Sequence, residues 1–346
     1  MLKLNLLAGG SINGTARSVF EDQVCIYVRG VAAVTKKKWL KDLRFALGFL
    51  GQQIKPMTKQ LEEVYEPGDE IYITGFSRGS ASAREFAVKL NKQGLKTNDG
   101  KRIKNVPVEF LGCFDTVSVQ VWKNLFTVLR NALFEIPTKS NVVREKGTVA
   151  PNVKQAVHLV SLDDNRQFGI PPSKPIPYPP VLMGHEERVH EVWFAGIHGD
   201  IGGNYFYKGL SDCACKYMQK CMENEGIQFM EAENISDDCL IIRDAPDVKV
   251  NKTDLKIEPN ATMRSHVDET HLSYRKVMAF KNDKELPGGV VNIHESVLEH
   301  VEEMQRVGNY TVNPRLKDTD FRVVGENGKE LKEKTTRLSS FLERYL

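Results

Sequence analysis

Short apolar and β-branched runs, set off by polar and glycine-rich stretches, recur along the first part of the chain. Ile71 to Thr74, Val106 to Phe114, Ala156 to Leu162 and His190 to Ala195 each read as a strand, and Gln23 to Val34 contains another that ends at Gly30. Between them the spacing becomes helical. Leu43, Ala46, Leu47, Leu50, Ile54, Met57, Leu61 and Val64 recur with a helical period, and the small residues from Ser80 onward, with Arg84, Phe86 and Ala87, suit a second helix. Strand and helix in alternation predict an α/β fold, a mainly parallel sheet with helices on both faces. Leu4 to Thr15, with Gly9, Gly10 and Gly14, reads as a loop. Beyond Tyr205 the pattern turns helical, with Leu210 to Asn224, Glu295 to Met304 and a charged tail from Gly325. The expected organisation is one domain over 1–346, in which 206–346 is a mostly helical part packed on the core.

The run at Ile71 leads into Gly75-Phe76-Ser77-Arg78-Gly79, a G-x-S-x-G pattern between a strand and a helix, the context that a nucleophile elbow requires. In an elbow the serine sits on a sharp turn, and Gly75 and Gly79 are read as the residues that let the backbone pass close by. The amide of Arg78, at the helix start, would face a developing oxyanion. Functional side chains of open parallel sheets gather beyond the carboxyl ends of the strands. Here those ends carry Ser77, Asp115, the pair Asp163 and Asp164, and His198. A serine needs a base to take its proton, and imidazole is the side chain whose pKa suits that exchange. His198, between Gly196 and Gly199, is the candidate base. Asp115 is the first choice for the carboxylate that orients it; if Asp115 instead caps a helix, Asp163 or Asp164 takes that role. Asp200 reads as support for the glycine-rich turn, whether as cap or hydrogen-bond partner, and His158 as a core histidine. The chain order Ser, Asp, His is that of α/β-hydrolase triads.

Composition narrows the choice. With 41% hydrophobic and 27% charged residues the chain is an ordinary globular one, and a net charge of +3 gives no case for nucleic acid. Lys36, Lys37 and Lys38 before Trp39 form the compact basic run, either a solvated helix start or a contact for anionic lipid head groups. No long window is continuously apolar, so no transmembrane span is expected. Met1 to Leu7 is too short and too polar for a signal peptide, which predicts synthesis in the cytoplasm. The six cysteines have no paired ligand spacing and are read as reduced thiols; no metal and no cofactor is expected. Two stretches could cover the site. Val117 to Glu135 is apolar nearly all round, as either a core helix or a lipid-facing lid would be, and Gly169 to Pro180 is rich in proline.

Several of these motifs, in order, carry a family resemblance. Glu66-Pro-Gly-Asp-Glu-Ile-Tyr-Ile-Thr-Gly-Phe-Ser-Arg-Gly, Cys113-Phe-Asp-Thr-Val, His158-Leu-Val-Ser-Leu-Asp-Asp-Asn-Arg-Gln-Phe and Val192-Trp-Phe-Ala-Gly-Ile-His-Gly-Asp-Ile-Gly-Gly-Asn-Tyr resemble successive motifs of the α/β-hydrolase family that includes the type VI secretion phospholipase effectors. The resemblance extends to Gly209-Leu-Ser-Asp and Ile293-His-Glu-Ser-Val. It implies a serine esterase acting on glycerophospholipid acyl chains, a phospholipase A, with Ser77 as nucleophile, Asp115 as acid and His198 as base. Its implied partners are a phospholipid membrane surface as substrate, a secretion spike and an immunity protein, with export to the periplasm of a target cell. The alternatives are a soluble carboxylesterase on small esters and an inactive hydrolase-like binding module. The family usually opens with a strand ending in Asp-Gly-Thr, of which Ser11-Ile-Asn-Gly-Thr15 is at best a remnant, so a central strand is expected to be missing or degenerate.

Overall fold

The structure is a computed structural model, and it describes residues 1–20, 22–29, 51–97, 100–117, 148–168, 176–177, 181–184, 186–243, 245–267, 274–281, 284–308 and 312–345. The basic run Lys36 to Trp39 and nearly all of Val117 to Glu135 and of Gly169 to Pro180 lie outside the described residues, as does the helical pattern before Gly51.

Apolar residues on both sides of a strand demand cover on both faces of the sheet. The chain opens with helix α1 (Leu2–Leu7), strand β1 (Thr15–Arg17), strand β2 (Val24–Ile26) and helix α2 (Gly51–Glu62). Then follow β3 (Tyr72–Phe76), α3 (Arg78–Lys92), β4 (Val108–Phe114), β5 (Val153–Ser161) and β6 (Val189–Phe194). The remaining principal elements are α4 (His198–Gly202), α5 (Gly209–Asn224), β7 (Val291–His294), α6 (Ser296–Arg306), β8 (Phe321–Val324) and α7 (Lys332–Tyr345). Strands β3 to β8 form one six-stranded sheet in which each pairs in parallel with the next.

Alternate residues of these strands divide the core. Ile73, Leu111, Cys113 and Ala156 pack with Ile54 of α2 and with Ala83, Phe86 and Leu90 of α3. On the same side, further along the sheet, Trp193, Ile293 and Val323 meet Val297 and Val301 of α6 and Leu338 of α7. Phe110, Phe114, Val157, Leu159 and Phe194 face the other way, onto Met218 and Met222 of α5 and Leu4 of α1. The molecule is thus a mixed α/β structure of the α/β-hydrolase-like kind. No helix among the described residues is long and apolar enough to cross a membrane.

Three expectations change. The strand within Gln23 to Val34 does not join the parallel sheet: β2 pairs antiparallel with β1 in a separate ribbon, the only arrangement open to two strands joined by so short a link. Leu4 to Thr15 is not all loop, since α1 buries Leu4, Leu6 and Leu7. The part 206–346, read as mostly helical, also supplies β7 and β8, so it lengthens the sheet as well as covering it. The ribbon leaves β3, the strand that leads into Ser77, as the edge strand of the described sheet.

Candidate active site

The site is assembled by the ends of four neighbouring strands. Ladder-type bonds carry the pairing one step past each strand: Ser77 N–H donates to Phe114 O (2.9 Å), Asp115 N–H to Leu159 O (2.7 Å), Leu162 N–H to Phe194 O (2.9 Å) and Asp163 N–H to Gly196 O (3.1 Å). Residues far apart in sequence are thereby held in register at one edge of the sheet.

Ser77 adopts φ 59° and ψ −123° between β3 and α3, a left-handed conformation that costs a residue with a side chain on the order of 1–3 kcal/mol. Such strain is the mark of a nucleophile elbow. Gly75 is a steric necessity, because a Cβ there would lie 2.5 Å from Gly79 O and 2.7 Å from Ser80 Cα. Gly79 is not: among the described residues nothing lies within 4 Å of where its Cβ would be, because it sits on the open side of the first turn of α3. The expectation that both glycines are sterically required is corrected to Gly75 alone. Ser80 is buried and its hydroxyl donates to Gly75 O (3.0 Å), which ties the helix start back to the strand. Arg78 is the first helical residue, so its N–H belongs to the set that the helix's own carbonyls do not accept.

His198 opens α4, four residues beyond β6, after a turn in which Gly196 has φ 100° and approaches the Asp200 side chain too closely to carry one of its own. Its ring packs on Phe76 with centroids 4.6 Å apart, and a side chain at Gly202 would collide with that phenyl ring. His198 Nε2 lies 2.8 Å from Ser77 Oγ, and Nδ1 lies 2.6 Å from Asp115 Oδ2. Burial pushes the imidazole below its ordinary pKa, against the hydrogen bond it donates to Asp115, which favours the neutral ring. A neutral ring has one N–H, and the carboxylate claims it at Nδ1, leaving Nε2 to accept.

Asp115 is fully buried in a left-handed conformation with φ 37°. The turn beyond it is held by His158, whose Nε2 accepts from Thr116 N–H (3.1 Å) while Nδ1 lies 2.8 Å from Glu191 Oε1. Burial alone would raise the Asp115 carboxyl, but the Arg275 guanidinium and the His198 imidazole hold it well below the usual carboxylate range. Arg275 is itself buried, donates to both oxygens of Asp115 and is shared with Asp164. Asp115, Asp164 and His198 place ligand-type atoms within 4.8 Å of one another, close enough to share a cation, and the cation lodged between the two carboxylates is Arg275.

The other carboxylates have different partners. Asp163 accepts from Gly196 N–H (2.7 Å) and Asn313 N–H (2.8 Å), and burial pushes it up to about 7, against those two amides. A carboxyl half protonated near neutrality is a poor counter-ion for an imidazolium. Asp164 faces Arg275 and Arg166. Asp200 accepts from Ile197 N–H (3.0 Å) and His266 N–H (3.1 Å) and lies 2.6 Å from His266 Nδ1, so it braces the α4 turn from behind. The ring of His266 stacks on Tyr205, centroids 3.9 Å apart. Sequence patterns give no sign of Arg275 or His266, since each lies outside any strand or helix, whereas Arg166 falls within the motif that runs from His158 to Phe168.

A left-handed serine between a strand and a helix, at the carboxyl edge of a parallel sheet with a histidine and an aspartate in line, defines a site of the α/β-hydrolase type. The catalytic-domain model of the type VI secretion (T6SS) phospholipase effector Tle1-like family matches residues 11–104 and 96–221, and the chain belongs to that family. The uncharacterized protein YEL023C of Saccharomyces cerevisiae is 27% identical over 236 residues, 53% of this chain and 31% of the relative. A crystal structure of an uncharacterized protein from Pseudomonas aeruginosa is 19% identical over 66% of this chain and 32% of that one, with a TM-score of 0.27, too slight a likeness to bear on the fold. The chain spans about a third of the length of both.

Proposed function

We propose that this chain is a serine ester hydrolase that cleaves acyl ester bonds of glycerophospholipids, an activity of the phospholipase A type. The observation that carries the proposal is the unbroken path from Ser77 Oγ through the two nitrogens of His198 to Asp115, at 2.8 and 2.6 Å. In this reading Ser77 Oγ attacks the acyl carbonyl carbon while its proton passes to His198 Nε2. The Arg78 N–H donates to the oxyanion, and Asp115 stabilises the imidazolium. Collapse of the tetrahedral intermediate breaks the ester C–O bond, and His198 returns the proton to the departing glycerol oxygen. The lysophospholipid departs, and water then repeats the sequence on the acyl-serine, releasing a fatty acid and restoring Ser77.

Family membership supports lipid as the substrate. So does a run of rings beside α4: Tyr205, Phe206 and Tyr207 follow the histidine helix, and Phe206 is 94% exposed. Exposed rings at such a position suit the boundary between head groups and acyl chains. Delivery by a type VI secretion system, with a spike as carrier and an immunity protein as inhibitor, is part of the proposal and rests on the family alone. So does action on a target cell's periplasmic membrane surface. We also take 1–346 as one catalytic unit, a reading supported by the strands that the C-terminal part contributes to the sheet. The test is release of fatty acid from phospholipid vesicles by the wild type and by Ser77→Ala. Release by the wild type alone supports the reading; equal release overturns it, and release from short soluble esters only would make the protein a carboxylesterase.

A further inference from the structure

We propose that Arg275 is a positioning residue for the candidate catalytic acid, fixing the plane of the Asp115 carboxylate so that Oδ2 alone faces His198, and that Asp164 serves as the counter-ion of Arg275 rather than as a substitute acid. The proposal rests on the Ser77, His198, Asp115 reading above and assigns parts to residues that it leaves unused.

The geometry is that of a fork. Arg275 Nη1 donates to Asp115 Oδ1 (2.6 Å), and Nη2 to Asp115 Oδ2 (3.2 Å) and to Asp164 Oδ2. Asp115 Oδ1 also accepts from Ser161 N–H (3.0 Å), so the oxygen turned away from His198 has two donors of its own. A carboxylate held by an imidazole alone can rotate about its terminal bond; two-point contact with a planar guanidinium removes that freedom. The guanidinium is anchored in turn. Arg275 N–H donates to Asp164 O (3.1 Å), Arg275 O accepts from Asn313 Nδ2 (2.8 Å), and only 2% of the residue is exposed.

A lone arginine at this place would work against catalysis, because its charge opposes the imidazolium that must form. Asp164 answers that difficulty. Asp115, Arg275 and Asp164 together carry one net negative charge, which Arg166 brings to zero, so Asp164 keeps the two arginines from leaving the cluster positive while the ring meets Asp115 directly. Arg166 closes the cluster on the outer side, with Nε and Nη2 each 2.8 Å from Asp164. Among the described residues, the charged groups around His198 and Asp115 are Arg275, Asp164 and Arg166, with Asp163 and Asp200 behind them.

This arrangement predicts opposite pH responses. Arg275→Gln removes a positive charge, so both the imidazole and the buried Asp115 carboxyl become easier to protonate. The acid limb of kcat/KM on a short soluble ester should move to higher pH by the order of one unit, with kcat falling on the order of 10²-fold. Arg275→Lys keeps the charge and loses the fork, so kcat should fall while the limb stays near that of the wild type. Asp164→Asn leaves Arg275 unbalanced, and the limb should move to lower pH. Circular dichroism and fluorophosphonate labelling of each variant report folding and the state of Ser77 separately from the profile. If Arg275→Gln does not fold, the opposite displacement in Asp164→Asn and the unmoved limb in Arg275→Lys still decide the matter. Folded Arg275 or Asp164 variants with wild-type limbs and kcat overturn the proposal and leave the triad standing; a wild type inert to both ester and fluorophosphonate removes the triad and this role with it.

Discussion

His198 Nε2 and Ser77 Oγ, 121 residues apart in the chain, lie 2.8 Å apart, and the opposite ring nitrogen is held by Asp115 at 2.6 Å. Ser77 and Asp115 each follow the last residue of a strand, and His198 opens α4 four residues beyond β6, so the contact depends on the sheet's register and on the Gly196 turn together. Its chemical meaning depends on which nitrogen carries the proton, and Asp115 sets that.

Asp115→Asn should therefore strand His198 in the wrong tautomer. By analogy with other triads the loss in kcat is about 10⁴-fold, with KM nearly unchanged. Steady-state kinetics on a soluble ester will test it; a loss smaller than that of Asp163→Asn would move the acid to the later strand.

The pH profile follows from burial. Because His198 is held below the ordinary imidazole value, the neutral base persists into mildly acidic solution, and the acid limb of kcat/KM should have its midpoint below about 6.5. A midpoint above that value would mean that the Asp115 contact outweighs desolvation.

The two glycines of the elbow should respond differently. Gly75→Ala drives a methyl into the backbone at Gly79 and Ser80 and should cost roughly 2 kcal/mol or more of stability. Gly79→Ala places a methyl in open space within a helix and should be neutral or stabilising by up to about 1 kcal/mol. Chemical denaturation of both variants checks the contrast.

Much of this was legible in the sequence because β4 and the carboxyl halves of β5 and β6 are buried on both faces and read as largely apolar runs, while β3 is a short β-branched and aromatic run. The same feature places Ser77, Asp115 and His198 just past predicted strand ends. Strands β7 and β8 were missed because Val291–His294 and Phe321–Val324 are short and set in polar surroundings, with no period long enough to register. Arg275 was invisible for another reason. It acts on Asp115 across 160 residues from an irregular segment, where neither spacing nor motif points to a partner.

Nearly all of the apolar stretch Val117 to Glu135 lies outside the described residues, and the rings beside α4 give another handle on interfacial behaviour. Phe206→Ser with Tyr207→Ser should lower hydrolysis of vesicular phospholipid several-fold while sparing a short soluble ester, since the two side chains are 94% and 63% exposed. Equal losses on both substrates would assign the rings to the fold instead.

The most direct test of the central claim is covalent. A fluorophosphonate should label the folded wild type at Ser77, as located by peptide mass mapping, with the rate of labelling rising as His198 loses its proton. Labelling should vanish in Ser77→Ala and slow sharply in His198→Ala, in step with loss of fatty-acid release from phospholipid. A wild type that hydrolyses phospholipid without labelling at Ser77, or a folded Ser77→Ala variant that hydrolyses it at the wild-type rate, would contradict the account.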